Sequence, residues 1–514
     1  MRKSMKSLLA VLVLATPLTL TSCEGTLDDI LGEWSRPTAA ETAPTAASIS
    51  FATSARVLGT QDGKLTNVLT NTGDGKVTYA SGDESVATVD PTTGEVTPLA
   101  AGTTTITATV ADSQGYTYAT KTAQYELTVG TGFHIRKWDD TAKTLTDDFT
   151  TGDILEGTVT AAQLAAAGTH IIRGNVTLSD AVTLAGDVEL VLGDNASLTI
   201  NNQIVGGTSS SDYQRSLTIY AQSDDASTRG KLTVQCPDEM GIKYVNALTI
   251  HSGEVVVSSG LNAENVGYFG IDCYTMIVNG GEVRAQSADA PTKSTGTAIF
   301  TKTSLKINDG VVKAICGSCS YTGNNADGIY SGGTIEINGG SVEAKGSDMS
   351  GTGNNAGRGI CASTSLTING NAVVKATGGS SVNTQGGPGI LADTTINGGA
   401  VTAIGGNSNN SDGGNGCNRD LYIHGGQSMV LAGHGGTGHT SIEACSWKVY
   451  YYGGTIIAIG DETGKAVKDN LYNYSGATIT VYTNTDGSTT DFPVSAPIAN
   501  TGSTTITVRG MKIG

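Results

Sequence analysis

Two rhythms of apolar and polar residues divide the chain. Over residues 47–130 apolar positions alternate with polar ones, as half-buried strands require. In "VTYASGDESVATVDPTTGEVTPLAAGTTTITATV", Ile106, Ala108 and Val110 point to one face. The "DPTTGE" stretch sets Pro91 and Gly94 in a reversal between Val86/Val89 and Val96. This pattern predicts a series of half-buried strands joined by tight turns.

Further along, the alternation shortens and a phrase returns with drift: "VNGGEVRAQS", "IEINGGSVEAKG", "LTINGNAVVKATG". Aligned on its second turn residue, the phrase falls at Gly253, Gly281, Gly310, Gly340, Asn371, Gly399, Gly426 and Gly454, 27 to 31 residues apart. A period in this range predicts a solenoid. Each period carries three short alternating runs. The first contains a Gly-Ile pair (Gly270-Ile271, Gly328-Ile329, Gly359-Ile360). The second runs as Leu305/Ile307 or Ile335/Ile337, and the third as Val342/Ala344 or Val374/Ala376. Three inward strands per turn predict a parallel β-helix, its coils stacked at the spacing of hydrogen-bonded strands. "NGG" is then a corner, where Gly takes dihedrals closed to other residues. Asn279, Asn308, Asn338, Asn369 and Asn397 would stack there as a hydrogen-bonded ladder. His251 and His424 replace Asn at the same corner. "TAAQLAAAG" (160–168) is the one good short-helix candidate and would cap the first coil. The tail after Tyr482 would close the other end.

The predicted class is therefore all-β. The segments are 47–130, a connector with helical cap over 131–170, and the β-helix over 171–514. Ahead of these, "MRKSMKSLLAVLVLATPLTLTSC" opens with three bases and continues with an apolar run too short to span a bilayer. It reads as a secretory signal over 1–22. Residues 23–46, with Pro37 and Pro44 and few bulky apolar groups, read as a flexible tether.

Composition sharpens this picture. Gly accounts for 70 of 514 residues and aromatics for only 5%, which suits an exported β protein rich in turns. The formal charge of −17 excludes a nucleic-acid binder, which needs clustered Lys and Arg. It also repels an acidic polysaccharide unless a cation such as Ca²⁺ intervenes. Asp289, Asp327 and Asp412 are candidate Ca²⁺ ligands. His424, His434 and His439 crowd one stretch without zinc-ligand spacing, so no zinc site is expected. Beyond Cys23 there are seven Cys. Cys417 and Cys445 fall one coil apart at equivalent inward positions, which permits a disulfide or two buried thiols. Cys316 and Cys319 form a lone "CGSC" without a helix to activate it.

Polar segments of variable length precede each Gly-Ile strand, and such loops on a rigid scaffold are where recognition usually sits. Asp327, Arg358 and Asn415 lie just before the Gly. Asp272, Phe300 and Tyr330 follow the Ile, with Tyr244 and Tyr274 close by. Exposed rings beside Asp, Arg and Asn suit a glycan. The alternative is a cross-coil ladder in which Phe300–Tyr330 stacks and Asp327–Arg358 pairs for stability alone. No dense pair of carboxylates marks a hydrolase. A lyase would have only Arg358 or Arg419 as base.

Three resemblances extend these readings. "LTSC" resembles the bacterial lipobox, which implies lipid attachment to Cys23 and outer-membrane or cell-surface placement through that anchor alone. The "SGDESVATVD … EVT … AGTTTITA" pattern resembles the bacterial Ig-like domain of group 2, which implies an Ig-like β-sandwich serving as a spacer or adhesive module. The "LTINGG-V-A" rungs and "GTHIIRGNVTLSDAVTLAGDVELVLGDNASLTI" resemble right-handed β-helices of carbohydrate-binding, polysaccharide-lyase-like type. That likeness implies a non-catalytic binder of polysaccharide, or of a host or matrix glycoprotein. The alternative is a polysaccharide lyase or glycoside hydrolase working along the helix face, and a third reading is a purely structural surface protein.

Overall fold

In the computed structural model the described residues are 48–73, 75–110, 121–320, 326–352, 355–436, 443–460, 467–468, 471–474, 479–483 and 506–510. The signal segment, Cys23, the tether and His439 lie outside them, as does most of the tail after Tyr482. The chain divides into two compact units.

The first is the Ig-like sandwich. Val77–Ser81 runs antiparallel to Gly102–Val110, and Glu95–Pro98 is the middle strand of a second sheet between Leu65–Thr66 and Ala87–Val89. Ile106 and Ala108 are buried with Val96, Ala87 and Leu127, as the alternation requires. The reversal is built as its residues dictate. Asp90 Oδ1 accepts the backbone N–H groups of Thr92 and Thr93, and Gly94 adopts φ +74.

The second unit is a parallel β-solenoid. Ile242, Ile271, Ile299, Ile329, Ile360 and Ile390 pair in register, each directly above the last and all fully buried. One sheet stacks eleven parallel strands, the third strand of each coil. A single apolar core runs from Leu155 to Leu471. The helix Ala161–Ala165 opens it, with a Thr160/Gln163 capping box and Leu164 and Ala165 turned into the core. Residues 133–150, read from sequence as connector, form an antiparallel hairpin. Its Phe133 and Ile135 pack on Ile171, Val191 and Tyr220, and Trp138 N–H donates to His251 Nδ1 at 2.9 Å.

Three features differ from the expected plan. The first and second strands are fused in the coils Ile242–Ile250, Ile271–Val278 and Ile299–Ile307, and are separate on either side, as Ile204–Val205 and Leu217–Ala221 before them and Ile329–Ser331 and Thr334–Ile337 after them. Gly332-Gly333 breaks the strand in that coil. The three fused coils have no glycine there and hold surplus residues as bulges, Lys243-Tyr244 in Ile242–Ile250 opposite Asp272 and Lys302-Thr303 in Ile299–Ile307 opposite Tyr274. At the corner whose second turn residue is Asn371, the left-handed residue is Gly370 (φ +61) and not Asn371, because glycine carries that conformation without cost and the extra residue follows it.

The third difference concerns the segments expected to be free loops. They are packed. Ala290, Cys319, Met349, Ser381 and Ser408 stack as a further parallel ladder, one per coil. The two legs of successive segments zip through glycine: Gly379 N–H donates to Gly357, Gly387 to Gly379, Gly406 to Gly387 and Gly414 to Gly406, at 2.7–2.9 Å. A Cβ on Gly406 would lie 1.8 Å from the Gly379 carbonyl oxygen, so only glycine fits. Much of the high glycine content serves this seam.

The corner ladder forms as expected. Asn308, Asn338, Asn369 and Asn397 each donate Nδ2 to the Oδ1 of the Asn one coil before, at 2.7–2.9 Å. His251 Nδ1 lies 3.3 Å from Asn279 Nδ2 at one end, and His424 stacks on Tyr452 at the other. The seven cysteines 236, 273, 316, 319, 361, 417 and 445 are free and buried. Cys417 and Cys445 are bridged neighbours with both thiols retained.

Candidate functional site

The predicted residues separate into two groups with different geometry. Phe300 and Tyr330 occupy one outward column with Asp272, since Asp272, Phe300 and Tyr330 pair in register. The column is a stack. Phe269 lies on Phe300 at 5.0 Å and 6°, and Phe300 lies on Tyr330 at 5.3 Å and 10°. Rings stacked coil on coil cover each other's faces and leave only edges outward.

Beside this stack, Arg358 donates Nε to Asp327 Oδ1 (2.7 Å), Nη2 to Oδ2 (2.6 Å) and its backbone N–H to Oδ1 (3.0 Å). Asp327 is 1% exposed, not the solvent-facing group expected from sequence. Burial alone would lower the Arg358 pKa, but the bonds to Asp327 and its charge more than offset this and raise it. A guanidinium held so cannot serve as the base of a lyase. Asn415 is also buried; its Nδ2 donates to the Glu443 carbonyl at 2.8 Å. These residues pair across coils, as the ladder alternative predicts.

The proposed cation ligands do not converge. Among the described residues no group of three or more His, Cys, Asp or Glu could hold a metal ion. Asp289 Oδ1 instead accepts Ser318 N–H (2.7 Å) and Oγ (2.9 Å) on the next coil, and Asp348 repeats the device with Ser380. Asp327 belongs to Arg358. Asp412 is also engaged within the protein.

The second group sits at the two bulges. Tyr244 lies in the first, with φ +56, a left-handed conformation that costs a Tyr about 1–2 kcal/mol. Tyr274 lies at the second and is 41% exposed. Tyr213, from the segment preceding Leu217–Ala221, leans on both, at 5.8 Å and 82° to Tyr244 and 5.6 Å and 60° to Tyr274. These rings are tilted, so none is covered by a parallel neighbour, and Tyr274 is the most exposed of the three. Beneath them Asp272, 1% exposed, accepts a hydrogen bond from Tyr213 Oη at 2.7 Å. Burial pushes its carboxyl up to about 6, against the opposing pull of the Tyr213 bond and of Lys302 and Lys243. Lys243 pairs with Glu239 at 3.1 Å and holds Nζ 5.5 Å from the Tyr244 ring centre. Lys302 is exposed.

Sequence reasoning named Tyr244, Tyr274 and Asp272 but placed Asp272 on the surface, and it missed Tyr213, Lys243 and Lys302. Tyr213 falls outside the repeat, in "SSSDYQRS", where no register assigns it a neighbour. The lysines could have been found, because they flank the same strand junction as Tyr244 and Tyr274.

Fold and site together define an Ig-like domain followed by a parallel β-solenoid with an aromatic, carboxylate-floored bulge. Residues 45–120 match the sequence model of the bacterial Ig-like domain, group 2. No curated protein sequence matches the chain.

Proposed function

We propose that the solenoid binds a glycan without cleaving it, at the surface formed by Tyr213, Tyr244, Asp272 and Tyr274. The observation that carries this reading is the pair of consecutive bulges. The first carries Tyr244 on strained backbone and the second lies opposite Tyr274, so two tyrosines stand together above a buried carboxylate. Strain of this kind concentrates at ligand sites. Sugars need open ring faces for their C–H surfaces and fixed polar groups for their hydroxyls, and only this part of the predicted row offers both. Local charges balance, Asp272 and Glu239 against Lys243 and Lys302, while the chain as a whole carries −17. Both facts favour a neutral glycan over an acidic one. In this reading the Ig-like domain is a spacer, and lipidated Cys23 with its tether anchors the assembly at the outer membrane or cell surface.

The test is retention of the full chain on a panel of neutral and acidic polysaccharides, scored also for new reducing or unsaturated ends. Retention on a neutral member, without cleavage and unchanged by EDTA, is the expected result. Failure to bind any member, or binding undiminished by Tyr244→Ala with Tyr274→Ala, overturns the reading. Cys23→Ser is expected to release the chain from the membrane fraction.

A further inference from the structure

The bulge is one end of a longer feature. The residue two before the first inward position of each second strand is, in order of coils, Tyr274, Thr303, Gly333, Thr364, Ala392, Arg419 and Trp447. The register that aligns them is continuous: Met276 pairs with Leu305, Leu305 with Ile335, Ile335 with Leu366, Leu366 with Thr394, Thr394 with Leu421 and Leu421 with Val449. Hydrogen bonds between coils hold the column together, for example Thr364 N–H donating to the Gly333 carbonyl at 2.9 Å and the Thr303 hydroxyl donating to the Tyr274 carbonyl at 3.0 Å.

The two ends of this column are large exposed rings, Tyr274 at 41% and Trp447 at 53%. No ring of the described residues stacks on Trp447, unlike Tyr422 and Tyr450 nearby, which lie face to face at 4.6 Å. Between the ends, Thr303, Gly333 and Thr364 are small and uncharged, Ser304, Thr334 and Ser365 beside them add hydroxyls, and at the next coil Ala392 is buried in the core, which leaves Asp393 as the exposed residue there. Charge enters at Lys302 beside the Tyr274 end and at Asp393, Arg419, Asp420 and Lys448 toward the Trp447 end, with both signs at the latter. The ends are six coil steps apart, or about 29 Å at the spacing of hydrogen-bonded strands.

We propose that this column is a track for one extended, linear, neutral polysaccharide chain laid parallel to the solenoid axis, with one sugar stacked on Tyr274 and another, several residues along, on Trp447. The proposal rests on the glycan reading above and adds the ligand's shape. A terminal sugar or a short branch would reach one ring only. A chain long enough to span both gains the second contact intramolecularly, at the effective concentration set by the first. The low, hydroxyl-bearing middle lets the chain pass and offers it hydrogen bonds.

The experiment uses the full chain and a size series of linear oligosaccharides, from disaccharide to dodecasaccharide, cut from whichever neutral polysaccharide the panel retains. Affinity is expected to rise by about a hundredfold once the chain can span both rings. Trp447→Ala is expected to abolish that rise while leaving the short oligosaccharides unaffected, and Trp447→Phe to restore it. Trp447 is exposed, so the fold survives its removal. Equal affinity for short and long chains, or a length dependence that Trp447→Ala does not change, overturns the track and leaves the Tyr213–Tyr244–Tyr274 site standing. If no glycan is retained at all, the binding reading itself fails.

Discussion

The column Phe269–Phe300–Tyr330 and the cluster Tyr213–Tyr244–Tyr274 have nearly the same composition and adjoin the same strands, yet they differ in what they leave open. In the column the coils are in strict register, so rings lie parallel at 5.0 and 5.3 Å and each covers the next. In the cluster two bulges break the register, so rings meet at 82° and 60°. A solenoid that repeats faithfully uses its aromatic faces internally. It frees them where the repeat fails. The same holds for charge: Asp327 in the regular part is locked by Arg358, whereas Asp272 at the bulge has only a phenol on it.

The comparison breaks most visibly through the ion pair. Asp327→Ala leaves the largely shielded Arg358 guanidinium without its partner, and the loss of stability should be about 3–5 kcal/mol, read by urea unfolding. Glycan retention by the surviving folded fraction should be unchanged. If Asp327→Ala abolished binding while leaving stability intact, the division between structural and recognition groups would be wrong.

The bulge carboxylate should show itself through pH. Asp272 has an ordinary pKa of 3.8 and stands at about 6 in the folded chain. The folded state therefore favours the protonated acid. Its stabilising contribution is complete below pH 4 and is lost as pH rises through 6, by up to about 3 kcal/mol. His251 works in the opposite sense. Burial takes it from 6.5 down to about 4, so its contribution is complete above pH 6.5 and is lost as pH falls toward 4. Its Nδ1 accepts Trp138 N–H, which the protonated ring could not do. The two trends offset each other between pH 4 and 6, and the intact chain should show little slope there from these groups. Asp272→Asn keeps an acceptor for Tyr213 and cannot ionise. It should uncover the acid loss due to His251. Unfolding curves with identical pH slopes for both proteins would remove Asp272 from this account.

Much of the scaffold could be read from the chain, and the reasons are local. Gly-Ile, Leu-x-Ile and Val-x-Ala recur because each inward position meets its own copy one coil away, so one strand's pattern is the next strand's constraint. Ile271 above Ile242 and Asn308 above Asn279 follow directly. Less was legible wherever partners come from outside the repeat. Tyr213 reaches Asp272 across 59 residues with no periodic signal, and so a carboxylate at an outward-looking position was buried without warning. The packed glycine seam was hidden for another reason. Gly379, Gly387 and Gly406 look like flexible loop residues in sequence, and only their mutual carbonyl contacts show that they are close-packed.

Ring truncation should sharpen the contrast at a smaller scale. Phe300→Ala with Tyr330→Ala removes a stack and should lower stability by about 1–2 kcal/mol, with glycan retention kept. Tyr244→Ala with Tyr274→Ala should do the reverse: a smaller change in unfolding, since Tyr274 is exposed, Tyr244 is half-buried and neither belongs to a parallel stack, and loss of most retention. Retention and urea unfolding measured on the same preparations separate the two. The opposite assignment of effects would return the site to the stacked column.

The smallest effect isolates the bulge backbone. Tyr244 holds φ +56 although its side chain disfavours that region. Tyr244→Ala and Tyr244→Gly both delete the ring and so lose the same contacts with Tyr213. They differ in the backbone they must hold: Ala retains the Cβ that makes the left-handed conformation costly, and Gly does not. Glycine also loses more freedom on folding, which offsets part of the gain. The Gly variant should therefore be the more stable of the two by about 1 kcal/mol, and both should bind glycan equally poorly. Equal stability would mean that the bulge relaxes once the ring is gone. The ring's packing against Tyr213 would then hold the backbone in place, and the ligand surface would be assembled by its own tyrosines and not by the strand beneath them.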